Sequence, residues 1–70
     1  MEKSSIAQRI RAFRKLKGYT QSELADLLGV SIAILGAIER GTRKPDNKMI
    51  QNISQVLNIE PEELVAVVVK

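Results

Sequence analysis

Seventy residues make one domain, and a chain this short buries only about 60% of the surface it exposes when unfolded. The absence of cysteine and histidine excludes disulfides, thiolate metal sites and the usual general base, and no convincing carboxylate pair replaces them. No enzyme and no cofactor are therefore expected, while the net charge of +3 favours a polyanionic partner.

The first predicted helix is capped by Ser4 or Ser5 and runs to about Lys17, with Gly18 as its stop. Ile6, Ile10 and Phe13 share one stripe, with Leu16 close by. Arg14 is four residues after Ile10 and lies beside that stripe, where a charge needs a partner. Glu39, four residues after Leu35 on a later helix, has the matching address. The spacing predicts an Arg14–Glu39 ion pair, against the plainer reading of two solvated charges.

Thr20 to Gly41 reads as two short helices split by a turn. Thr20 and Glu23 form a capping box, and Leu24, Leu27 and Leu28 have the spacing of one helical face. Gly29 ends the first helix, and Ser31 caps the second. In the second, Leu35 and Ile38 face inward and Gly41 is the stop. Thr42 to Pro45 is a loop, because the residue before proline is pushed away from helical angles. Asp46 or Asn47 then caps a fourth helix with an inward stripe of Ile50, Ile53 and Leu57 and the small Ser54 at its edge. Asn58 ends it, and Ile59 packs back. Pro61 opens a last helix with Glu62 and Glu63 in its first turn and Leu64 as anchor. The tail from Val65 to Lys70 carries four valines and favours an extended form. It either packs, on its own domain or across a dimer seam, or is a frayed terminus.

Residues 1–70 thus form a single all-α domain, with its motif at 20–41 and an apolar tail at 65–70. Residues 1–17 carry a net +5 and residues 39–48 a net +2, so positive charge brackets the motif. The longest apolar run, Leu64 to Val69, is far shorter than the roughly 20 residues of a membrane span. The charged opening Met1-Glu2-Lys3-Ser4-Ser5 does not resemble a signal peptide, and the expectation is a soluble cytoplasmic protein with no membrane partner.

These residues resemble the Cro/C1-type helix-turn-helix family, also called the XRE family. The matching positions are Arg14, Gly18, Thr20-Gln21, Leu24-Ala25, Gly29-Val30-Ser31, Leu35, Ile38-Glu39, Gly41, Pro45, Leu57 and Leu64. The resemblance implies a compact five-helix bundle of the lambda-repressor-like type, a homodimer and binding to double-stranded operator DNA. It also implies that Arg14 and Glu39 pair, and that the second motif helix enters the major groove.

By that resemblance Ile32, Ala33, Gly36 and Ala37, with Ile34 nearby, meet base edges next to the cap Ser31. None of the five has a side-chain hydrogen bond to offer, which departs from the family pattern, since strong base readers are bidentate Arg, Asn or Gln. The backbone-contacting positions keep the pattern better. Gln21 matches the glutamine that contacts phosphate, although it also reads as a helix-cap residue. Arg40, Thr42, Arg43 and Lys44 are placed to grip flanking phosphates, or else form an ordinary solvated loop.

Two functions follow. The first is a dimeric transcriptional regulator, typically a repressor, with phosphate-dominated affinity and weak base readout. The second is a protein-interaction or self-association module that docks a partner on the apolar second helix.

Overall fold

The computed structural model describes residues 5–65, and the valine-rich run from residue 66 onward lies outside them. Five helices follow in order: α1 (Ile6–Leu16), α2 (Gln21–Leu28), α3 (Ile32–Arg40), α4 (Asn47–Leu57) and α5 (Pro61–Val65). The described residues contain no strand.

The starts of α1 to α4 are fixed by their caps. The Ser5 and Thr20 hydroxyls accept the amides of Gln8 and Glu23 at 3.1 and 3.0 Å, and both boxes are closed by the return bond from the third side chain. The Ser31 hydroxyl accepts from the Ile34 amide at 3.1 Å, and the Asp46 carboxylate from Met49 at 2.8 Å. Of the alternatives left open by the sequence, Ser5 and Asp46 are the caps. The ends share one device, in which the amide beyond the stop reaches back five residues. Tyr19 bonds Arg14, Val30 bonds Ala25, Thr42 bonds Ala37 and Ile59 bonds Ser54, each at 3.0 Å. This closure needs a left-handed residue, supplied at Gly29 by φ +75° and at the fourth helix by Asn58, the one non-glycine of positive φ among the described residues.

The core joins all five helices: Ile10 from α1, Leu24 and Ala25 from α2, Leu35 and Ile38 from α3, Ile53 and Leu57 from α4, and Leu64 from α5. α3 packs against both α1 and α2, and its start at Ile32 and Ala33 and its end at Arg40 stay exposed. Ser54 is buried and donates its hydroxyl to the Ile50 carbonyl at 2.7 Å, so the small polar residue is satisfied where α4 packs closely. Arg9 ties α1 to α5 by donating to the Glu63 carbonyl at 3.0 Å.

Two apolar residues, one expected on an inward face and one close by such a stripe, are exposed instead. Leu27 is 55% exposed and Leu16 is 75% exposed. At about 100° per residue, Leu27 falls roughly 110° from the middle of the arc set by Leu24, Ala25 and Leu28. Leu16 lies about 120° from Ile10, at the helix end, while Arg14 sits nearer the buried line.

Candidate nucleic-acid interface

The turn at Gly29 sends α3 off at 111° to α2. Two short helices that start with capped amides and cross this steeply form a helix-turn-helix. The second helix, α3, is held from behind. Arg14 Nε donates to Glu39 Oε2 at 2.7 Å, and Arg14 Nη2 donates to Glu39 Oε1 at 3.1 Å. Arg14 Nη1 donates to the Tyr19 carbonyl at 2.9 Å. The two side chains are only 10% and 2% exposed, so this is a buried, bidentate pair bonding α1 to α3. Such a pair specifies geometry more than it adds stability.

Gln21 joins the same network by donating its Nε2 to Glu39 Oε1 at 3.1 Å. The first residue of α2 is thereby oriented by the helix it crosses. An open groove of about 610 Å³ lies at this junction, lined by Arg11, Arg14, Thr20, Gln21, Glu39 and Arg40. Arg11 did not stand out in the sequence as a site residue. The signal was its spacing, three residues before Arg14 and so on a neighbouring part of the same helix.

The second motif helix divides into three kinds of position. Ile32 and Ala33, with Ser31 before them, are exposed at its start, and Ile32 retains 50% of its surface. Ala37 is half-buried, and Ile34 packs against the core. Gly36 was expected among the exposed, base-facing positions and is instead buried. The Arg40 guanidinium and the Gln21 amide close over it, at 3.2 and 3.9 Å from where a Cβ would stand.

At the end of α3 and in the loop after it, Arg40, Thr42, Arg43 and Lys44 are all exposed. The Thr42 hydroxyl donates to the Ala37 carbonyl at 3.2 Å, so it serves the helix end. The only salt bridge among the described residues is the Arg14–Glu39 pair, which leaves Arg11, Arg40, Arg43 and Lys44 without carboxylate partners there. Those residues also contain no group of acidic side chains able to hold a metal ion and no single helix long and apolar enough to cross a membrane.

The family model HTH_3, helix-turn-helix, matches residues 10–64. The chain belongs to the helix-turn-helix family. It is 56% identical over 64 residues to YazB of Bacillus subtilis (strain 168), an uncharacterized HTH-type transcriptional regulator, across 91% of this chain and 93% of that protein. The structure of SinR, a master regulator for biofilm formation, in complex with DNA matches with a TM-score of 0.80 and 39% identity, over 86% of this chain and 97% of that one. Against the SinR sequence of Bacillus subtilis (strain 168), this chain spans 54% of the length. The DNA-binding domain of the P22 c2 repressor matches with a TM-score of 0.87 and 29% identity, over 93% of this chain and 86% of that one. The chain is thus a helix-turn-helix regulatory domain with the repressor-like bundle, not an enzyme.

Proposed function

We propose that the chain binds duplex DNA as a dimer, with α3 in the major groove and cations on either side of it on the phosphates. The observation that carries this reading is the arrangement of charge around the motif. Arg11 lies beside the start of α2, Arg43 and Lys44 follow α3, and none has a carboxylate partner among the described residues. The backbone amides that open α2 and α3 add a favourable field for an anion. DNA contacts by SinR and repression by P22 c2 support the same reading for this chain.

The apolar face of α3 limits what the bases contribute. Ile32, Ala33 and Ala37 can touch thymine methyl groups or exclude water, and they form no hydrogen bond. Each missing bidentate contact removes about 1–3 kcal/mol of discrimination, whereas the phosphate contribution is blind to sequence. Affinity is therefore phosphate-dominated and base readout weak. Dimer symmetry places two half-sites about 34 Å apart, one helical turn.

Binding to a fluorescent duplex, measured against salt concentration, tests the proposal. Three cations per chain in a dimer release about six counterions, which gives a log–log slope of about −5. That is a loss of about a thousandfold between 50 and 200 mM salt. A flat slope, or no binding at low salt, would sink it.

One observation favours a protein-docking role instead: Leu27 and Ile32, on either side of the turn, are both about half-exposed. Ile32→Gln separates the two. On the DNA reading, sequence-selective binding improves. If the oligomer shrinks and DNA affinity is unchanged, α3 is a protein interface.

A further inference from the structure

Gly36 lies inside α3, where glycine weakens a helix relative to alanine. Its backbone does not ask for glycine, because the glycines of positive φ are Gly18, Gly29 and Gly41. What the missing Cβ provides is room. Arg40 Nη1 stands 3.2 Å from the position a Cβ would take, tighter than ordinary contact. The guanidinium therefore folds back over the preceding turn, as long helical side chains do, and lies along α3 instead of reaching out over the following loop.

Arg40 is also the one polar side chain that α3 has to offer. The helix reads Ile32, Ala33, Ile34, Leu35, Gly36, Ala37, Ile38, Glu39, Arg40, and Glu39 is buried against Arg14 and Gln21. At about 100° per residue, Arg40 falls roughly 140° from the inward-facing Leu35, on the side shared with Ala33 and Ala37. Those two small side chains leave the guanidinium standing above its surroundings. It is exposed and has no ion pair among the described residues, so its donors are available. A planar fork of this kind matches the O6 and N7 acceptors that guanine presents in the major groove.

We propose that Arg40, seated over Gly36, is the base-reading side chain of this chain and takes a guanine. The proposal rests on the DNA-binding reading above, and it moves Arg40 from the phosphate-gripping group to the specificity-determining one. It adds a single polar contact per half-site to a face that otherwise meets only methyl groups.

Selection from a random duplex pool by the wild-type chain, Arg40→Ala and Gly36→Leu tests it. The wild-type pool is expected to fix one guanine in each half-site. Replacing that guanine with adenine in the selected duplex should lower wild-type affinity about 5- to 150-fold. The same replacement should leave the affinity of Arg40→Ala unchanged. Placing 7-deazaguanine there, which lacks the N7 acceptor, should reproduce part of the wild-type loss. Gly36→Leu fills the seat and should lose the guanine preference, with helical circular dichroism and the melting temperature read alongside to show that the bundle is intact. If Arg40→Ala weakens every duplex equally and flattens the salt slope, Arg40 is a phosphate contact and the proposal fails. Retention of the guanine by Gly36→Leu also overturns it. Binding without any fixed guanine defeats this inference alone, whereas no binding at low salt defeats the DNA reading with it.

Discussion

Glu39→Ala strips the buried Arg14 guanidinium of its bonds at 2.7 and 3.1 Å and leaves the Gln21 amide without its acceptor. Arg14 then keeps only the Tyr19 carbonyl at 2.9 Å. With its side chain 10% exposed, the orphaned charge has little water to turn to. Breaking a buried pair in this way costs about 3–5 kcal/mol. A 70-residue chain has a total stability on the order of 4–10 kcal/mol, so the loss is a large share of it. The melting temperature should fall by at least about 12 °C. The double variant Arg14→Met/Glu39→Leu removes both charges and fills the space, and it should return to within about 1 kcal/mol of wild type or exceed it. Urea unfolding followed by helical circular dichroism, extrapolated linearly to water, reads both. A single variant within about 1 kcal/mol of wild type, or a double no better than the single, would mean that the orphaned Arg14 charge is not what costs stability.

Other positions separate packing from surface. Leu24→Ala should cost about 2–5 kcal/mol because the side chain is fully buried, whereas Leu27→Gln should stay within about 0.5 kcal/mol; denaturant titration of the pair checks the contrast. Thr20→Ala removes the hydroxyl that accepts the Glu23 amide and should destabilise the chain by about 0.5–2 kcal/mol in the same assay. Arg43→Ala should weaken binding evenly across DNA sequences and reduce the steepness of the salt dependence by about 2 for a dimer, as read by anisotropy titrations.

Much of this fold was legible because local signals agreed. Thr20 with Glu23, Ser31, Gly29 and Gly41 each mark a helix boundary by short-range chemistry, and the helices begin and end there. The Arg14–Glu39 pair was legible for a different reason: each residue falls next to an apolar line on its own helix, where an isolated charge is costly. The misreadings share a cause as well. Leu16 and Leu27 have plausible helical spacing, but only packing decides which part of a wheel faces the core, and the shared core is set by residues far apart in sequence. Gly36 is placed among the base-facing positions by the family resemblance, and nothing in its own chemistry marks it as covered. Its burial comes from Arg40 and Gln21, one on the same helix and one on the helix before it. The Nε2 bond from Gln21 to Glu39 spans 18 positions and left no mark in the spacing.

If the chain binds DNA as proposed, the face built by the start of α2, the outside of α3 and the loop after it is the one that meets the duplex. Titrating an isotope-labelled chain with a short duplex, and following each backbone amide by NMR, tests this directly. Shifts are expected to concentrate at Gln21, Ser31 to Ala33 and Arg40 to Lys44, with α5 and the exposed Leu16 unmoved. Shifts centred on α4 and α5, with α3 silent, would contradict it.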